Sequence, residues 1–192
     1  LNPPLAGERR GALSTRTTHP LVLSRVREAL HALGGHAESA NPFTAMTKGE
    51  MHAEAAAVLG KQDAEKILAM SHSCSHVRYA VGTGYPPETQ CGVCFGCLVR
   101  RSAFHASGMT DATTYRHKAI PADKQQAHLR ETAQSEVRTV RYAGQRGISA
   151  AGILSVGLPD DVPVDDALSV ARRGLAELAA VVDAEPDLRA VR

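Results

Sequence analysis

The chain has 192 residues, 43 % of them hydrophobic and 22 % charged, which supports one sizeable core, as a single domain or a domain with an appendage. No apolar run approaches the roughly 20 residues needed to cross a bilayer. A formal net charge of +2 is too small to argue for a nucleic-acid partner, and an aromatic content of 4 %, with no tryptophan, leaves little material for base-stacking surfaces.

Residues 1–18 are rich in proline, glycine and small polar residues without apolar period, and read as a loop. Thr17 or Thr18 is placed to cap the helix that follows, with Pro20 in its first turn, where a missing amide proton does little harm. Leu23, Val26, Leu30 and Leu33 recur at helical spacing until Gly34-Gly35. Asn41-Pro42-Phe43 reads as a turn. Thr47-Lys48-Gly49-Glu50 then forms a capping box, in which hydroxyl and carboxylate each satisfy an orphaned amide. A helix through Met51, Ala55, Val58 and Leu59 ends near Gly60, and a second runs from Asp63 to Met70.

All four cysteines fall between Ser71 and Tyr115: Cys74, then Cys91, Cys94 and Cys97 in a C-x2-C-x2-C run. Four thiolates complete the tetrahedral shell of a zinc ion and leave no place for water or substrate, so such a metal is structural. Two disulfides or four unrelated buried thiols are the alternatives, but neither accounts for three cysteines within seven residues. Gly92 and Gly96 lie between the ligands, where a chain turning around a metal needs unusual backbone angles or close approach. His72, His76 and His105 are neighbours able to substitute for a ligand. The stretch between Cys74 and Cys91, with two glycines and two prolines, reads as an irregular loop closed at both ends by the metal. Cys97 opens a short helix stopped by Gly108. Arg100 and Arg101 follow the last ligand, placed to offset thiolate charge or to face water.

Beyond Tyr115, residues 123–142 and 165–182 carry apolar positions at helical spacing: Leu129, Ala133, Val137 and Val140 in the first, Leu168, Ala171, Leu175, Leu178 and Val182 in the second. Residues 143–163 read as a connection, Arg172-Arg173 as a solvated face, and the last ten residues as a fraying end. The expectation is about six helices, few short strands and a zinc-ordered loop. The absence of a recognisable secretory signal, and thiols gathered for a metal, set a cytoplasmic location as the default.

The arrangement S-x-S-C, a loop, then C-G-x-C-x-x-C-x-x-R-x-x-x-F, after a T-K-x-E helix start, resembles the C-terminal half of 7-cyano-7-deazaguanine synthases. The matching residues are Ser73-Cys74, Cys91-Gly92-Val93-Cys94-Phe95-Gly96-Cys97, Arg100 and Phe104, with Thr47 to Glu50 upstream. Ser14 to Pro20, which reads STRTTHP, after Asn2-Pro3-Pro4-Leu5, is similar to longer, divergent members, some associated with phage defence rather than queuosine synthesis.

The resemblance covers residues 1–118 and leaves 119–192 as a helical C-terminal extension. It implies an α/β, Rossmann-like ATP-pyrophosphatase fold of which this chain is a mainly α C-terminal portion. It also implies an ATP-dependent ligase. In that family ATP adenylates the carboxylate of 7-carboxy-7-deazaguanine, ammonia displaces AMP to give an amide, and a second activation dehydrates the amide to the nitrile. Such chemistry asks for a phosphate-cradling loop, cations and Mg2+. The family's S-G-G-x-D-S loop has no counterpart here, so the chain is expected to lack most of the ATP site. That part would come from a missing N-terminal segment or a separate ATP-binding subunit, and an uncovered apolar surface would favour a homo-oligomer. Arg16, His19 and Lys48 match motif positions as substrate- or phosphate-binding candidates. The alternative is a non-catalytic zinc-stabilised module that binds a partner protein or a deazaguanine-like ligand.

Overall fold

A computed structural model describes residues 19–36, 41–76, 84–86, 89–122, 126–155 and 157–191. The described residues form eight helices, α1 Pro20–Ala32, α2 Lys48–Leu59, α3 Lys61–Met70, α4 Phe95–Ala106, α5 Ala127–Arg146, α6 Ala150–Leu154, α7 Val164–Ala184 and α8 Pro186–Arg189. The fold is mainly α, as expected. The few short strands are not found among the described residues, where the only pairing is an isolated parallel bridge between Gln90 and Tyr115. No described helix is long and apolar enough to cross a membrane.

Helix α7 organises the core. Its Leu168, Ala171, Leu175, Leu178 and Val182 are all buried, at the 3-4 spacing the sequence displays. They meet Phe95 and Leu98 of α4, Val137 and Val140 of α5, and Ile153 of α6 in one apolar cluster. The segment beyond residue 118 therefore shares its principal core with the cysteine-bearing segment before it. Leu188 and Val191 are 1 % and 8 % exposed and belong to the same cluster, so the C-terminus does not fray as expected. Pro186 supports this by opening α8, where its fixed φ suits a first helical turn.

Residues 143–163 are likewise not a plain connection. Helix α5 runs on to Arg146 and stops at Gly147, whose φ of +71° suits glycine, and Ser149 caps α6. The cap of α1 also differs. Thr17 and Thr18 lie outside the described residues, and the capping atom is His19 Nδ1, which accepts from the Leu21 amide at 3.2 Å. The helix itself is as expected, but its apolar stripe is not covered by described residues: Val26 is 46 % and Leu33 85 % exposed. Its buried residues are Pro20 and Ser24, on a side that lines a small cavity together with Pro159 and Val162.

Arg172 and Arg173 are both exposed, as expected of a solvated face, but each is also held by partners. The Arg173 side chain is 43 % exposed. Its Nε donates to Glu50 Oε1 at 2.7 Å and its Nη2 to the Ala45 carbonyl at 2.8 Å. Arg172 donates to the Ile148 carbonyl at 3.1 Å. Arg100, by contrast, does not face water. It is 4 % exposed, and its guanidinium donates to Thr113 Oγ1 at 2.8 Å, Ser71 Oγ at 2.7 Å and the Leu68 carbonyl. One buried side chain thereby ties α4 to the end of α3 and to the segment after α4.

Candidate metal centre and an adjoining cavity

The four cysteine side chains converge. Cys74, Cys91, Cys94 and Cys97 are all buried and unpaired, with their sulfurs within 4.8 Å of one another. Sγ–Sγ separations are 3.9 Å for Cys91–Cys97, 3.9 Å for Cys94–Cys74 and 3.6 Å for Cys94–Cys97. These are far too long for disulfides, whose S–S bond is about 2.05 Å. A tetrahedron of sulfurs at the usual Zn–S length of about 2.3 Å has edges of about 3.8 Å, so the cluster fits a metal ion such as zinc.

The backbone around the cluster is built to hold it. Amides of Cys91 and Cys94 donate to the sulfurs of Cys74 and Cys91 at 3.2 and 3.3 Å, and Gly92 N donates to Cys97 Sγ at 3.3 Å. Such N–H···S bonds favour thiolates. Gly92 has φ +88°, and a Cβ there would lie 2.0 Å from the His117 carbonyl oxygen. At Gly96 a Cβ would lie 2.0 Å from the Ser73 carbonyl oxygen. Both glycines are thus required by close approach of the chain on either side of the knuckle. His117 N in turn donates to the Cys91 carbonyl at 3.2 Å, pinning the returning segment.

The thiols also polarise one another. Hydrogen bonding to Cys91 pulls Cys74 down to about 6, and bonding to Cys74 pushes Cys94 down too, while bonding to Cys74 pushes Cys91 and Cys97 up. Crowding four thiols together makes it costly for all of them to ionise in the absence of a cation. A divalent cation removes that constraint and lets all four ionise. His76 stays a neighbour: its amide donates to Cys74 Sγ at 3.3 Å and its ring stands edge-on to His128. His72 and His105 are exposed.

Beside the knuckle lies a cavity of about 380 Å³ between α2, the end of α3 and α4. Its polar lining is Lys48, His52, Ser71, Ser73 and Arg100, and Phe43, Met51, Leu68 and Val99 supply apolar walls. Lys48 is exposed at this cavity, its Nζ 3.8 Å from Met51 Sδ. His19 is buried at the start of α1 and is not among the lining residues, so the structure does not bring these two candidates together. Arg16 lies outside the described residues.

A larger cleft of about 660 Å³ runs past Phe104, Tyr115 and Val181, but its acids are already engaged. Asp111 accepts from the Tyr115 hydroxyl at 2.6 Å, and Glu185 pairs with Arg101 at 2.9 Å. Burial, and then the bond to Asp111, push that hydroxyl's pKa up and keep it protonated.

Three contributors escaped the sequence reading. Gln90 is 4 % exposed and staples the chain segments around the knuckle: its Oε1 accepts from Ser73 N at 3.0 Å and its Nε2 donates to the Ser71 carbonyl at 3.1 Å. Adjacency to Cys91 was its only signal. Glu177 of α7 gives no local signal; its carboxylate accepts from Gly49 N at 3.1 Å and from the Thr47 hydroxyl. His52 was legible in principle, because it stands four residues after Lys48 and hence on the same helix face.

Comparison of the chain with known protein families, curated proteins and solved structures finds no match.

Proposed function

We propose that this chain is the zinc-ordered, substrate-facing part of an ATP-dependent ligase resembling the 7-cyano-7-deazaguanine synthases. What supports this reading is the meeting of the two motifs that carry the resemblance: Lys48 of the T-K-x-E start lines the same cavity as Ser71, Ser73 and Arg100 of the cysteine segment. Lys48 is the group that would hold an anionic substrate oxygen there, since a mobile ammonium suits a carboxylate or phosphate. In this reading the zinc is structural, because four thiolates close its shell and leave no position for chemistry. ATP, Mg2+ and the Rossmann-like sheet belong to a nucleotide-binding part, joined to this chain or supplied as a separate subunit, and the assembly works in the cytoplasm.

A second reading is a non-catalytic zinc-held module that binds a partner protein or a deazaguanine-like ligand without turnover. One observation favours it. Glu177 already occupies the N-terminus of α2, a place where a phosphate would otherwise dock.

The two readings part in one experiment. The zinc-loaded chain is incubated with ATP, Mg2+, ammonium and 7-carboxy-7-deazaguanine, alone and with a separately expressed S-G-G-x-D-S polypeptide. AMP release that needs both polypeptides and is lost in Lys48→Ala is the expected result. A folded, metal-containing chain that releases no AMP in either mixture overturns the ligase reading.

A further inference from the structure

The cavity holds one group that the proposed function does not use. His52 stands one turn after Lys48 on α2, and its Nδ1 is buried without a hydrogen-bond partner. A buried polar atom left unpaired is uncommon in a folded protein and asks for an explanation. The ring is not loosely placed. It packs edge-on against Phe104, with centroids 4.8 Å apart and planes at 76°, and Arg100 covers the same Phe104 ring at 5.2 Å. The imidazole is thus oriented by a stack whose far end is anchored by the hydrogen bonds of Arg100.

Its charge state is also set by its surroundings. Burial, then the nearby charges of Arg100 on α4 and Lys48 on α2, hold its pKa down at about 4, against a smaller opposing pull from Asp111. At neutral pH His52 is a neutral imidazole able to accept a hydrogen bond.

We infer that His52 is the specificity-determining residue of this cavity: it accepts a hydrogen bond from an O–H or N–H of the ligand, one helical turn from the anionic group that Lys48 holds. The inference rests on the cavity being the ligand site proposed above, but not on turnover there. Residues one turn apart on a helix face have Cβ atoms about 5–6 Å apart, so both side chains can reach one small ligand. The apolar walls take the body between them. A compact apolar or aromatic acid with a donor opposite its carboxylate satisfies all three demands, and one whose donor is blocked by a methyl group does not.

The test uses the zinc-loaded 192-residue chain and two probes, 4-hydroxybenzoate and 4-methoxybenzoate, titrated at pH 7 while the His52 ring signals are followed by NMR. The hydroxyl probe is expected to bind about tenfold more tightly and to shift those signals, as one buried hydrogen bond allows. His52→Phe, which keeps the packing on Phe104, should abolish the preference, and His52→Gln, which keeps an acceptor, should restore part of it. Equal binding of both probes, lost only in Lys48→Ala, overturns the role of His52 and leaves the cavity as an anion site. Binding of neither probe overturns both the site and the inference. A hydroxyl preference carried by His52 in a chain that releases no AMP upholds the inference and removes only the ligase reading.

Discussion

The carboxylate of Glu177 sits on the amide of Gly49, 3.1 Å away, so the long helix α7 caps the helix that carries Lys48. The same carboxylate accepts from the Thr47 hydroxyl, whose oxygen accepts in turn from Glu50 N at 3.1 Å. A negative group at a helix N-terminus is favourable both for the orphaned amides and for the helix dipole. Here that group comes from 128 residues downstream.

Gly49→Ala is therefore expected to destabilise the chain by about 2 kcal/mol, as overpacking does. The added Cβ would lie 2.5 Å from Glu177 Oε1 and 2.7 Å from Ala106 Cβ. Glu177→Ala should cost about 1–2 kcal/mol through the lost cap. Urea unfolding measures both, and the two changes should fall short of additivity because they touch one contact. Full additivity would mean that the cap does not depend on position 49.

Chelation should remove one metal per chain and loosen the cysteine segment first. Cys94→Ala should weaken metal binding by more than about 100-fold, beyond what loss of a supporting partner alone produces. Metal content and hydrogen exchange check this. Protection should fall at residues 71–76 and 89–97, and at the Leu129–Ala133 end of α5 that packs on the cysteines, before it falls in α7, whose core cluster contains none of them. Uniform loss across all helices would instead make the metal essential to the whole fold.

Arg100→Met should cost about 3 kcal/mol, because it removes three hydrogen bonds made by a buried, charged donor. Arg100→Lys should rescue little, since an ammonium does not reproduce the planar fork that reaches Thr113, Ser71 and Leu68 together. Thermal melts of the three proteins decide it, and near-native stability of the lysine variant would refute the fork.

The pH dependence of stability should carry a His52 component. Its folded value of about 4 lies below the ordinary 6.5, so between these values the unfolded chain binds a proton that the folded chain does not. Stability from this group is complete above pH 6.5 and is lost as pH falls towards 4. Glu50, held low by Arg173, contributes its own loss at more acidic pH. Subtracting the His52→Phe unfolding curve isolates the histidine, and identical slopes for the two proteins across that window would refute its burial.

The metal centre and most helices were legible in the sequence because their causes are local. A C-x2-C-x2-C run turns its own sulfurs inward, Thr47 and Glu50 close a capping box three residues long, and Leu168 to Val182 repeat at helical spacing whatever lies opposite. The errors have a common origin. The tail was expected to fray because its sequence offers only Pro186 and mixed charges, yet Leu188 finds a core waiting for it. Arg100 read as a charge offsetting the thiolates or facing water because its acceptors are two hydroxyls and a carbonyl that no spacing rule reveals.

What the sequence by itself determined is therefore the longer helices and the four cysteines that gather as a candidate metal site. Only the tertiary structure decided that α7 caps α2, that Arg100 is buried, and that His52 and Lys48 share a cavity with Ser71 and Ser73. The physical reason is distance along the chain. Caps, periods and knuckles act within a few residues, whereas a carboxylate or guanidinium takes whichever partner the packing of remote apolar faces brings within about 3 Å.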